Sequence, residues 1–324
     1  MLKRLSQTII LVLTLSVVLP GKGEAGDIDP AKEKMALYKK TEALTHIPWY
    51  YLAAIDKYEA NTQKETASEG VISITFPETD WYGIGNPGRV SDAFSIDIFN
   101  GSGRDGNGDG LAQYTNDEDI LYSMAHWIET YGTTKQDIKI ALWNYYQREL
   151  TVQTIMNIAK IYEKFGEINL TDNDFPLPLQ ANYSYRNTWG DARGFGGRRI
   201  HEGTDIFANY GVPVKATTYG VVEMKGWNRF GGWRIGIRDT QNNYHYYAHL
   251  NGFKEGIAVG DVVKPGDVVG SVGATGYGPP GTSGKFPPHL HYGMYKDNGY
   301  SEWSFDPYPY LRKWERDARN KKNG

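Results

Sequence analysis

Residues 287–295 read PPHLHYGMY, and their alternation decides what kind of fold surrounds them. A His-Leu-His run at 289–291 has the period of a β-strand, with both imidazoles on one face. Pro287 and Pro288 mark where that strand begins, because proline cannot donate to a ladder. Two same-face imidazoles start about 6 to 7 Å apart at the backbone, so one can coordinate an ion while the other reaches water beside it.

Outward from this stretch, residues 183 to about 311 are dense in Gly, Tyr, Trp and Val. Short alternating runs such as VPVKATTYGVVEMKGW, WRIGIRDT, NYHYYAHL and DVVKPGDVVGSVG are punctuated by Gly and Pro-Gly. That punctuation predicts an antiparallel all-β domain over 183–312. Four of the seven histidines lie in its motifs, and His245 stands beside one. HEGTD supplies His201 and Asp205, YAHL supplies His249, and HLH supplies His289 and His291.

On an extended strand His201 and Asp205 would stand roughly 13 Å apart, too far to share an ion with ~2 Å bonds. The segment must therefore bend, and Gly203 offers the backbone freedom. Two histidines and an aspartate form a three-ligand set with a fourth position open to water, the arrangement of a catalytic zinc site. The chain has no cysteine, so a metal site must be built from imidazole and carboxylate.

These residues resemble the lysostaphin-type, or LytM-like, zinc endopeptidases that cut peptidoglycan peptides. The likeness runs over about residues 183–300, through HEGTDI, Gly220-Val221-Val222, YAHL, VKPGDVVGSVGATG and HLHYGMY. It implies one zinc per chain on His201, Asp205 and His291, with His249 and His289 as the catalytic pair. Either of that pair can act as general base on a zinc-acidified water, and the other can stabilise the oxyanion or protonate the leaving amine. The whole layout is similar to the sporulation L-alanyl-D-glutamate endopeptidases of spore-forming Gram-positive bacteria. That likeness implies hydrolysis of L-Ala-D-Glu in stem peptides during spore cortex maturation, at the cell wall or spore envelope. The alternative is an exported wall-binding module with a vestigial peptidase site.

Some neighbours of these motifs read more simply. Glu202 is an exposed charge. His245, four residues before His249 and on the same strand face, could extend the site, but a plain strand histidine is the simpler reading. Tyr246, Tyr247, Tyr292 and Trp233 are packing aromatics or walls of a substrate groove.

Before the β region, residues 30–60, 117–131 and 135–165 carry helical spacing, as in EDILYSMAHWIETYG and TVQTIMNIAKIYEKFG. The expected fold is thus multidomain α + β, with a helical domain over 26–170 and a linker over 171–182 (TDNDFPLPLQAN). A basic tail over 313–324 ends the chain. HIPWYYLAAIDKYEAN is similar to the segment of lytic transglycosylase and goose-type lysozyme domains that ends in their catalytic acid, which falls on Glu59. The Gly-Leu-Met-Gln stretch of those domains is absent, and Tyr146 stands where Asn would follow Tyr145. DGNGDG places Asp105, Asn107 and Asp109 in the order of a calcium loop, but Asn116 occupies the position of the closing glutamate. A solvated glycine turn is the competing account of that stretch.

Residues 1–25 have the layout of a secretory signal: Lys3 and Arg4, an apolar run from Ile9 to Leu19, then Pro20-Gly21 and small residues near Ala25. The alternative, an uncleaved anchor, would need a run nearer ~20 residues. An exported protein follows, with no stable membrane insertion beyond that segment. The formal charge of −3 supplies no basic field for nucleic acid. Peptidoglycan peptides are the expected partner.

Overall fold

The computed structural model describes residues 29–63, 70–86, 88–194 and 199–323. The expected signal, 1–25, lies outside the described residues. Helices come first: α1 Pro30–Thr45, α2 Trp49–Thr62, α3 Glu78–Tyr82, α4 Ala93–Ile98, α5 Asp117–Glu129, α6 Lys135–Tyr146 and α7 Glu149–Phe165. Their ends follow from local chemistry. Asp29 and Asn116 cap free amides of α1 and α5, Thr134 and Asp137 form a capping box on α6, and Gly166 ends α7 at φ 72°. Leu52, Ile55, Leu121, Met124, Ile155 and Ile158 meet in their shared core.

The strands are β1 Tyr183–Tyr185, β2 Ala192–Arg193, β3 Arg199–Ile200, β4 Thr204–Ala208, β5 Pro213–Lys215 and β6 Gly220–Asn228. They continue as β7 Gly232–Asp239, β8 Asn243–Phe253, β9 Val262–Val263, β10 Val268–Val272, β11 His289–Asp297 and β12 Glu302–Phe305, and helix α8 covers Tyr308–Asn323. The main sheet runs β1-β4-β11-β8-β7-β6-β9, and its ladders are antiparallel, as the alternating runs require.

Period two divides β11 cleanly. Leu290, Tyr292 and Met294 enter the core with Ile206, Val222, Ile235 and Tyr247, while His289 and His291 take the other face. One irregularity overrides the period. Between Trp233 and Ile235 of β7 the register on β8 shifts, with Trp233 opposite Leu250 and Ile235 opposite Tyr247. This bulge holds His249 at φ 61°, so His245 and His249 do not share a face as the simple alternation predicted. His245 is instead fully buried, bonded to Asp239 at 2.9 Å and to Tyr292 at 2.7 Å.

Two segments pack more closely than their polar sequences imply. In the stretch read as a linker, Phe175 and Leu177 are wholly buried in the β core, and Lys215 pairs with Asp174. The stretch read as a tail belongs to α8, where Trp314 lies in that core and Glu315 accepts from Tyr183 at 2.7 Å and Tyr185 at 2.6 Å.

Helix α7 joins the halves. Arg148 makes a bidentate pair with the fully buried Asp297, at 2.8 and 2.9 Å. Asn157 donates to Glu223 at 2.8 Å, Lys160 to the Gly260 carbonyl, and Lys164 to the Val262 carbonyl at 2.8 Å. Among the described residues no helix is long and apolar enough to cross a membrane.

Candidate metal centre

His201, Asp205, His249, His289 and His291 meet on the floor of one groove of about 760 Å³. Adjacent strands place them: Asp205 on β4 stands opposite His291 on β11, and His291 stands opposite Ala248 on β8. His201 precedes β4, and the chain bends at Gly203 to bring it back over Asp205. The bend was expected, but the role of Gly203 differs. It is not among the positive-φ glycines; a Cβ there would meet His291 Cε1 at 2.6 Å, so what it supplies is room for the ring.

Three donor atoms face one another. His201 Nε2 is 2.8 Å from His291 Nδ1, and Asp205 Oδ1 is 3.1 Å from each. Ligand atoms around a tetrahedral ion with ~2 Å bonds stand only a little farther apart, so the triangle fits zinc. The tautomer of His201 agrees. Its Nδ1–H donates to the Thr188 carbonyl at 2.7 Å, which leaves Nε2 as a bare lone pair. Arg193 binds the other oxygen of Asp205 at 2.7 Å and so orients the carboxylate. Burial by itself would raise the Asp205 carboxyl, but its close polar contacts with His201 and His291 outweigh it and hold the group far below the usual carboxylate range. His291 is pushed down by burial, against the pull of Asp205, which favours the neutral form a ligand needs.

His249 and His289 lie beside this triangle with rings 4.8 Å apart. Both direct Nδ1 to a carbonyl, His249 to Thr275 at 2.8 Å and His289 to Pro287 at 2.9 Å. A carbonyl can only accept, so each neutral ring carries its proton on Nδ1 and leaves Nε2 free to accept. Burial lowers both imidazoles, with the neighbouring His289 and His291 adding to the effect at His249.

Residues 199–304 match the description of peptidase family M23. The chain is also 59% identical, over 96% of its own length and 98% of the other's, to the L-Ala--D-Glu endopeptidase of Bacillus subtilis (strain 168). The chain belongs to peptidase family M23. M23 peptidases are zinc-dependent, in keeping with the donor triangle. Lysostaphin of Staphylococcus staphylolyticus is 36% identical over 35% of this chain and 22% of its own. The catalytic domain of lysostaphin from Staphylococcus simulans, a solved structure, aligns with 42% of this chain and 98% of its own at 30% identity and a TM-score of 0.33.

The remaining candidates divide between the M23 groove and sites away from it. Tyr246 lines it, but Tyr247 and Tyr292 are core residues and Trp233 packs on Trp227 and Phe253. Glu202 is exposed at the rim, where Tyr295 donates to it at 3.3 Å. Glu59 lies in α2 and accepts from Tyr146 at 2.7 Å; burial raises its carboxyl. Neither this groove nor a smaller cavity of about 210 Å³ beside Pro48 is lined by Glu59. In the glycine turn, both Asp105 oxygens accept loop amides, from Gly108 at 2.7 Å and Gly110 at 2.8 Å, while Asn107 and Asp109 accept from Asp109 and Leu111. The metal-sized donor cluster among the described residues is His201, Asp205 and His291, and the calcium reading has no support. Arg193, Thr188 and Thr275 were not singled out in the sequence. They act through a second layer of bonds that no motif spacing marks.

Proposed function

We propose that this M23 peptidase hydrolyses the L-Ala-D-Glu bond of peptidoglycan stem peptides, outside the cytoplasm, in the cell wall or spore envelope during spore cortex maturation. The observation that carries the reading is the complete cluster: three donors closed on one point and two further imidazoles with bare Nε2 atoms beside it. The identity with the Bacillus subtilis endopeptidase supports the choice of bond.

His201 Nε2, Asp205 Oδ1 and His291 Nδ1 are the atoms that would hold zinc. Zinc there supplies Lewis acidity, polarising the scissile carbonyl and acidifying water. His289 or His249 takes a proton from the attacking water at Nε2. The other ring, once protonated from solvent, faces the developing oxyanion or gives its proton to the departing amine. The Nδ1–H bonds to the Thr275 and Pro287 carbonyls keep Nε2 of each neutral ring free to take a proton. The helical half adds a packing surface for the sheet through Arg148 and α7.

Muropeptides incubated with purified zinc-loaded protein test the reading. New L-Ala carboxyl termini and D-Glu amino termini support it, whereas unchanged stem peptides with retained wall binding would establish the vestigial alternative.

A further inference from the structure

The groove walls are basic although the chain is formally acidic. Arg193, Arg199, Arg234 and Lys285 line it, against a formal charge of −3 for the whole protein. Their partners separate them. Arg193 is committed to Asp205 at 2.7 Å. Lys285 donates to the Tyr277 carbonyl at 2.7 Å, and Arg199 donates to the Tyr277 hydroxyl at 3.0 Å while lying over the Phe230 ring.

Arg234 differs from Arg193 in having no carboxylate partner, and from Arg199 and Lys285 in lying against Tyr246, which packs on His291. Its guanidinium lies over the Tyr246 ring, 5.9 Å from the centroid, and hydrogen-bonds to Tyr246, while its Nε has no hydrogen-bond partner. Among the described residues it forms no ion pair. Arg238, farther along the same strand, shows the contrast: it pairs with Glu223 at 3.2 Å and with Glu302 at 2.6 Å. The carboxylates that line the groove are otherwise engaged, Asp205 in the donor triangle, Glu302 by Arg238 and Glu202 by Tyr295. A guanidinium that lines the groove without a carboxylate partner is suited to an acidic ligand.

The position fits one part of the substrate. Tyr246 contacts both groups, with the Arg234 guanidinium over its ring and the His291 ring centroid 5.8 Å away. An acceptor on Arg234 therefore sits one aromatic ring away from the metal ligands. We propose that Arg234 is a specificity residue of the groove and binds the free carboxylate of an acidic residue on the amine side of the scissile bond. The planar fork of arginine matches a carboxylate through two parallel hydrogen bonds. A D-Glu residue acylated on its amine and extended through its γ-carboxyl keeps such a group one carbon from the scissile nitrogen. The inference rests on the bond assignment above and adds the residue that recognises it.

Two defined peptides separate the possibilities: one containing L-Ala-D-Glu with a free α-carboxylate, and its α-amide. The zinc-loaded full chain is expected to favour the acid in kcat/KM by about ten- to a hundredfold, the range of a charge-assisted hydrogen bond. Arg234→Gln should remove that preference by raising KM for the acid, with the amide little affected and zinc stoichiometry retained; Arg234→Lys should restore part of it. Equal cleavage of both peptides by the unmodified protein would overturn the subsite and leave the bond assignment standing, a result that needs no variant to fold. Equal loss on both peptides in Arg234→Gln would also overturn it. Failure of the unmodified protein to cut either peptide would overturn the bond assignment and the subsite together.

Discussion

Gly203 and His291 are in contact across the β4–β11 ladder: a Cβ on Gly203 would stand 2.6 Å from Cε1 of the ring and 2.8 Å from Nε2. The Tyr292 carbonyl oxygen lies at 2.6 Å on the same side, so neither neighbour can yield easily. Gly203→Ala should therefore displace the His291 ring. The expected result is substoichiometric zinc and at least about tenfold lower activity with the far-UV spectrum retained. Full zinc occupancy in this variant would refute the account.

Substitutions within the histidine cluster should divide into two classes. His291→Ala and Asp205→Ala remove donors of the triangle and should lose zinc and cleavage together. His289→Ala and His249→Ala should keep most zinc while cleavage falls about 10²- to 10⁴-fold, the usual contribution of a general acid or base. Metal content and peptide cleavage measured on the same preparations decide the assignment, and equal zinc loss throughout would show it to be wrong.

Isolation of the β region should depend on where it is cut. All five site residues follow residue 182, but Phe175 and Leu177 are buried in the β core. A fragment from 171 onward should keep zinc and melt higher than one from 181, because burying two large apolar side chains contributes about 3 to 6 kcal/mol. Equal melting temperatures for the two fragments would count against this packing.

Glu315 makes the stability of α8 dependent on pH. Burial would raise its carboxyl, but hydrogen bonds from Tyr183 and Tyr185, with Arg319, outweigh it and the group is lowered. A lowered carboxyl stabilises the folded state fully above its unfolded pKa of about 4.3, and that contribution fades as pH falls through the lower folded value. Glu315→Gln should thus unfold at lower denaturant than the parent at pH 7, with the gap narrowing towards pH 3. A gap independent of pH would contradict the linkage.

Glu59 tests the lysozyme-like expectation for the helical half. A raised carboxyl suits a general acid, but here it is bonded to Tyr146, outside the two cavities described. Glu59→Gln should leave peptide cleavage unchanged, and the unmodified protein should release no new reducing ends from glycan strands. Release that disappears in the variant would instead establish glycan cleavage.

The donor cluster was legible because its residues are rare and lie in short motifs. Histidine is scarce in this chain, and HEGTD, YAHL and HLH keep their meaning whatever surrounds them. The faces of β8 were not legible. A bulge is defined by the strand opposite, so alternation within NYHYYAHL could not show that His249 leaves the face of His245. Arg193 and Thr188 reach the site through pairings that short motifs do not encode. Polar composition concealed α8, whose apolar contribution is concentrated in Leu311 and Trp314.

The placement of Trp314 bears on the order in which the enzyme can be completed. Its ring packs against His245 and Tyr292, behind the strand that carries His291, yet it follows His291 by 23 positions. A chain delivered amino-terminus first presents all five residues of the cluster before the side chain that backs them. During that interval the sheet lacks its rear support and its groove is unfinished. On the proposed export route, the groove would be complete only once α8 had followed the peptidase segment out.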